Sequence, residues 1–260
     1  LQVAELGEIE SPIGLTSTLS IWNVANGLID YLSAQNPGVY SFNPLVGECN
    51  DGFLNDIVGR HVNREHVLEA LSSACSPNTE EGNVGAGTGM TGFGWKGGIG
   101  TSSRTCIIND KKYTLGVMTL TNTGDPREFR INGTKIGKSL QPPLDKFDPT
   151  KAGGSIMMVV ATDAPIDSRQ LTRVGKRAAL GLARAGGIAD HSSGDFIIAF
   201  SNSTNLPILD DTALTPLFRG AVEATDEAIV NSVLRAETLI GRDGNTRHGI
   251  PIDEVKRLIN

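Results

Sequence analysis

The sequence predicts a mixed domain of the α/β or α+β class, and three observations carry that prediction. Short apolar runs of strand length recur along the chain, longer segments of helical periodicity stand between them, and clusters of Gly, Pro and Asn mark the joins. The 260 residues suffice to bury a large core, as one generous domain or two small ones. With 39% hydrophobic and 20% charged residues, the composition is that of a folded globular protein and disfavours collagen-like, disordered and disulfide-scaffold classes.

The first helix is expected over Ser17 to Ala34, where Trp22, Ala25, Leu28 and Leu32 recur at helical spacing and Asn36-Pro37-Gly38 stops it. A second is expected over Arg64 to Ala74, with Val67, Leu68 and Leu71 on one side. Between them Val46 to Gly52 is acidic and turn-rich and reads as loop. From Gly82 to Gly100 nine of nineteen residues are glycine, a density that favours turns and close backbone approach. Tyr113 to Leu120 reads as a strand running into Thr121-Asn122-Thr123-Gly124, and a connector rich in proline and charge spans Gln141 to Gly154. At Ser155 the texture changes abruptly. Ser155 to Thr162 is a short apolar run, best read as a buried strand; Ser168 to Ala185 is an amphipathic helix with a cap at Ser168 and a stop at Gly186-Gly187. Asp195 to Ser201 is strand-like, two helices are expected over Thr215 to Ala224 and Asp226 to Ile240, and a short amphipathic turn carries Val255 and Leu258.

Several function classes fall away at this point. The net charge of −6 comes with scattered basic residues, so no stripe awaits a phosphate backbone and nucleic acid is not an expected partner. Apolar runs such as Ile156 to Ala161 are far shorter than the roughly 20 residues of a membrane-spanning helix, so no membrane association is expected. Cys49, Cys75 and Cys106 are odd in number and widely spaced, which fits neither a metal clip nor a disulfide framework; a cytoplasmic location is the default, with sequons at Asn132 and Asn202 relevant only to a secreted protein. Gly87-Thr88-Gly89-Met90-Thr91-Gly92 satisfies a dinucleotide-binding pattern on paper, but neither a preceding strand nor a following helix accompanies it. His61, His66, His191 and His248 make no metal-ligand spacing. Neither a cofactor nor a metal is expected. Leu1 stands where an initiator methionine is usual, and the expectation is that the numbered chain lacks its true beginning.

Gly153-Gly154-Ser155 ahead of a buried strand has the local chemistry of self-cleavage. A hydroxyl attacks the carbonyl before it, and glycine leaves that carbonyl uncrowded. Three longer motifs give this junction a context: Asn83 to Met90 with Phe93 to Arg104, then Gly154-Ser155-Ile156 through Pro165, then His191-Ser192-Ser193-Gly194-Asp195. In this order they resemble the DmpA-like L-aminopeptidase/D-esterase family, whose relatives include β-peptidyl aminopeptidases, and the resemblance runs from about Ser11 to the C-terminus.

The resemblance implies a single-domain αββα sandwich of the α+β class, as in ornithine acetyltransferases. It implies a precursor that cuts itself at Gly154-Ser155 into a portion ending at residue 154 and a portion of residues 155 to 260, and a homo-oligomer, tetramers being the family's tendency. Ser155, once freed, would supply both the nucleophilic hydroxyl and an α-amine able to take its proton, since that amine has a reference pKa of about 7.7–8.0. By resemblance Ser193 and Asp195 are the supporting hydroxyl and carboxylate, Asn122 the oxyanion donor, and Glu48 the group beside the substrate's free ammonium. Some relatives carry a tyrosine near this glutamate; here Asn50 and Asp51 follow Cys49. The implied substrates are small peptides, amino acid amides or esters. An acyltransferase with a threonine nucleophile and an uncleaved ligand-binding relative are the alternatives.

Overall fold

A computed structural model describes residues 2–76, 79–143, 154–204 and 207–259. The chain opens with α1 (Gln2–Leu6), β1 (Ile13–Ser17), α2 (Ile21–Gln35), β2 (Leu45–Cys49) and α3 (Arg64–Ser73). The glycine-rich segment folds into a 3-10 turn and a tight hairpin of β3 (Thr91–Gly92) and β4 (Trp95–Lys96), and then come the long strands β5 (Ile99–Ile108) and β6 (Lys111–Asn122). After the connector come β7 (Ser155–Thr162), α4 (Ser168–Ala185), β8 (Gly194–Ser201) and α5 (Thr215–Leu234). The chain closes with β9 (Leu239–Ile240), β10 (Thr246–Arg247) and α6 (Ile252–Ile259).

These elements stack as an αββα sandwich. The main sheet has the order β5-β6-β7-β8, antiparallel except for the parallel β7–β8 pair that α4 connects. Alternation along β7 divides its side chains between two layers. Ile156, Met158 and Val160 join the core beneath α4 and α5, together with Leu115, Val117, Val174, Ala178, Leu217 and Val233. Met157 points the other way and packs with Cys49, Met90, Ile99 and Leu120. That second core lies against the small parallel sheet of β1 and β2. A Cβ at Gly47 would stand 2.5 Å from Met157 Cε, so glycine lets β2 come down onto β7. Val24, Leu28 and Val67 close the outer helical layer of α2 and α3.

The sequence reading differs from the structure at five places, each for a physical reason. Residues read as loop contain β2, whose pairing to β1 in parallel buries only Gly47 and Cys49, so no apolar alternation advertises it. The strand over Ile99–Ile108 went unread because it begins inside the glycine-rich segment. Trp22 does not join the buried face of α2; it is 76% exposed, and Val24, Leu28 and Leu32 form that face instead. The two helices expected around residue 225 are one, because Thr225 is buried against α4 and Asp226 pairs with Arg184 at 3.2 Å. The cap of α4 is Asp167 rather than Ser168. Most of the connector up to Gly154 lies outside the described residues.

Two strands cannot cover a four-stranded sheet. An open groove of about 1750 Å³ therefore runs past Leu15, Met118, Ala161, Ile198 and Phe200, towards the far end of β7 from Ser155. Among the described residues no helix is long and apolar enough to cross a membrane.

The Asp167 carboxylate accepts from the Gln170 amide at 2.7 Å while Gln170 Oε1 accepts from the Asp167 amide at 3.1 Å, a reciprocal capping box. Asp167→Ala should cost about 1 kcal/mol of unfolding free energy, the usual value of such a cap. Urea denaturation checks it; a loss near zero means that α4 is fixed by packing alone.

Candidate active site

The end of β6 and the start of β7 meet in register, with Asn122 opposite Ser155, and the parallel β7–β8 register sets Ser155 beside Gly194. The three strands thus bring Asn122, Ser155, Ser193 and Asp195 to one end of the sheet, although up to 73 residues separate them in sequence. Ser155 is 9% exposed, and its face of β7 is the one turned towards β2.

The Asn122 amide is held on both sides. Its Nδ2 donates to the Asn50 carbonyl at 2.9 Å, and its Oδ1 accepts from the Thr91 amide at 2.9 Å, an arrangement that fixes which end of the amide is the donor. From that anchor Nδ2 also comes within 3.5 Å of Ser155 Oγ. The glycine-rich segment thus serves as a frame. Lys96 stabilises the frame from inside, its Nζ donating to the carbonyls of Gly87 at 2.9 Å and Gly97 at 2.6 Å. Lys96 is fully buried, and burial pushes its ammonium down to about 7. The neutral amine keeps two N–H donors, enough for both carbonyls.

Ser193 lies in the turn before β8 and donates from Oγ to Asp195 Oδ1 at 2.6 Å. The other carboxylate oxygen, Oδ2, is buried and has no hydrogen-bond partner. Burial raises the Asp195 carboxyl above its ordinary value, against the lowering effect of the Ser193 hydroxyl. The Gly194 amide donates to the Gly154 carbonyl oxygen at 2.9 Å. That oxygen belongs to the bond expected to be cut.

Glu48 lies on β2 opposite Thr16 and accepts from the Thr18 hydroxyl. Its neighbour Cys49 is wholly buried against the Leu120 carbonyl and beside Ser155, and feels the charges of both Glu48 and Asp195. Burial pushes this thiol up to about 12, so it fills space next to the serine without competing as a nucleophile. Asp51, on the same loop, has a buried Oδ1 without a partner and a carboxyl raised by burial. Gly194 as a backbone donor, Cys49 as a wall and Thr123 next to Asn122 were not read from the sequence. No residue pattern announces a backbone amide or a neighbour made by strand register. Among the described residues, no group of three or more His, Cys, Asp or Glu is placed to hold a metal ion.

Comparison with known proteins identifies the family. Residues 1–247 match the model of Peptidase family S58. The chain is 38% identical over 282 residues to the beta-peptidyl aminopeptidase BapA of Sphingosinicella xenopeptidilytica, covering 99% of this chain and 70% of that protein. Its fold superposes with a TM-score of 0.91 on the crystal structure of the PH0078 protein from Pyrococcus horikoshii OT3, at 46% identity, over 99% of this chain and 74% of that one. With the L-aminopeptidase D-ala-esterase/amidase of Ochrobactrum anthropi, described as a prototype for the serine aminopeptidases and a variant of the Ntn hydrolase fold, the TM-score is 0.84 and the identity 29%, over 94% of this chain and 72% of that one.

The buried lysine generates a pH signature. The unfolded chain keeps the Lys96 proton up to about 10.4, whereas the folded chain releases it near 7, so stability is flat below that lower value and rises with pH between the two. In Lys96→Met that rise should flatten. Urea denaturation from about pH 6 to about pH 9 measures it, and an unchanged slope would show that Lys96 is not the group responsible.

The family model, the relatives and the superposed folds agree: the chain belongs to Peptidase family S58 and is a serine aminopeptidase.

Proposed function

We propose that the chain cuts itself between Gly154 and Ser155, and that the freed Ser155 then removes the amino-terminal residue of small peptides, amino acid amides or esters through an acyl-enzyme. The observation that carries this reading is the Gly194 amide on the Gly154 carbonyl oxygen, 2.9 Å away, while the Ser155 hydroxyl belongs to the very next residue. In the first step Ser155 Oγ bonds to the Gly154 carbonyl carbon. The C–N bond breaks, and the nitrogen gains the proton that the hydroxyl lost. Negative charge on the carbonyl oxygen falls on the Gly194 N–H, a donor of the kind worth about 2.7–4 kcal/mol in such a step. Water then hydrolyses the ester, leaving a Gly154 carboxylate and a Ser155 amine.

That amine arises inside a site with an unpartnered carboxylate oxygen at Asp195 and a hydroxyl at Ser193. It can accept the Ser155 Oγ proton as a substrate carbonyl is attacked. The carbon attached to Oγ then lies one bond away, so Asn122 Nδ2, already 3.5 Å from Oγ and anchored by Asn50, reaches the new oxyanion. Glu48 stands on the strand that packs across β7 and offers a carboxylate to a substrate ammonium, which restricts attack to chain ends. The relatives' activities, a beta-peptidyl aminopeptidase and an L-aminopeptidase D-ala-esterase/amidase, fit such an exopeptidase site. Assembly into a homo-oligomer and a reducing, cytoplasmic location complete the reading; the latter fits three free cysteines, of which Cys75 is exposed.

Intact-mass measurement and hydrolysis of aminoacyl p-nitroanilides test it together. Wild-type protein should resolve into two masses that divide at residue 154, and should release amine without acyl transfer to glutamate. Ser155→Ala should stay one chain and be inactive. Ser193→Ala or Asp195→Ala should slow turnover by roughly 10²–10⁴-fold while binding persists, the range for losing assistance to proton transfer. Wild-type activity in a verified Ser155→Ala preparation would remove Ser155 from the role of nucleophile.

A further inference from the structure

The residue after the anchored asparagine stands against the bond itself. Since Asn122 pairs with Ser155, the next residue of the chain, Thr123, lies opposite Gly154. Its backbone is fixed there because its carbonyl accepts from the Phe93 amide at 2.8 Å. The residue is 8% exposed, and its Oγ1 lies 3.1 Å from Ser193 Oγ. The direction of that bond follows from proton counting. Ser193 has one hydroxyl proton and gives it to Asp195 Oδ1, so between the two hydroxyls Thr123 is the donor. The three groups form one directed chain, Thr123 to Ser193 to Asp195.

Thr123 also sets the room available at residue 154. A Cβ there would lie 2.5 Å from Thr123 Oγ1, closer than real side chains approach, and 3.0 Å from its Cβ, tighter than most. The carbonyl that self-attack must reach is therefore carried by a residue that has to lack a side chain while Thr123 is present.

Resting on the reading of Gly154-Ser155 as the processed bond, we infer that Thr123 is a positioning residue for self-cleavage. Its hydroxyl holds the Ser193 hydroxyl towards Asp195, and its side chain reserves position 154 for glycine. The first effect removes rotational freedom from a hydroxyl that would otherwise sample several orientations, and small misplacements of such groups cost up to about 100-fold in rate. The second acts only before the cut, since afterwards Gly154 is a chain end.

The test is the first-order rate of conversion of freshly translated full chain, followed by intact mass, in wild type, Thr123→Ser and Thr123→Val. Thr123→Val, which keeps the shape and loses the hydroxyl, should convert at least about tenfold more slowly; Thr123→Ser, which keeps the hydroxyl, should stay near wild type. Equal rates in all three, or Thr123→Ser as slow as Thr123→Val, would overturn the positioning role, the latter by showing that packing alone matters. A second measurement, in the uncleavable Ser155→Ala background, compares the loss of thermal stability caused by Gly154→Ala with and without Thr123→Ala. The loss should be smaller when Thr123→Ala is present, and purely additive losses would overturn the size limit. A wild-type chain that never converts sinks the reading of the bond itself, yet the stability comparison still reports on the contact between residues 123 and 154.

Discussion

Everything at the candidate site depends on the first rung of the parallel ladder between β7 and β8, the bond from the Gly194 amide to the Gly154 carbonyl. It determines where β7 begins, and with it that Ser155 faces the small sheet while Ile156 faces the helices. A one-residue slip would exchange the two faces, burying the serine hydroxyl under α4 and pushing Ile156 towards Cys49. The slip is opposed by the apolar contacts of Ile156, Met158 and Val160 on one side and Met157 on the other, each typically worth a few kcal/mol when fully buried. The ladder bond and the hydrophobic alternation therefore act together to place Ser155 and to choose the face on which its hydroxyl lies.

Around that rung the polar groups are buried at a cost that the fold meets unevenly. Burial makes Lys96 give up its proton far more readily than an exposed lysine does, and makes Cys49 keep its own. Asp195 has one oxygen satisfied by Ser193 and one left open. A buried carboxylate oxygen without a donor is unfavourable in a resting protein, and such deficits are concentrated where a ligand or a new charge is to arrive. Here the newcomer proposed is the ammonium of Ser155 itself.

The sequence made much of this legible, and its failures have a common cause. The strand Ser155–Thr162 and the helix Ser168–Ala185 were readable to the residue, because both are bounded by abrupt changes of texture and bury a continuous face. β2 was invisible because only Gly47 and Cys49 are buried along it, and Gly47 is small where the strand meets Met157, so no apolar alternation marks it. The expected site residues came from motif resemblance, and the structure brings Asn122, Ser155, Ser193 and Asp195 together, with Glu48 on the facing strand beside Cys49. What stayed hidden were contributions that carry no residue type of their own, a backbone amide at Gly194 and a threonine that matters through the residue it opposes.

Ser155 is the first residue of a strand that is paired on both sides along its length. Chain ends ordinarily fray and sample many positions. An amino terminus created at this place would inherit its coordinates from the intact chain, already flanked by β6 and β8. Two polypeptides made separately would have no such inheritance, since the shorter one, carrying β7 and β8, would have to find the exposed edge of β6 on the other and pair with it in register. Cut as proposed, such a protein would carry information in the order of its making, its working form specified by a sequence that no longer exists as a single chain.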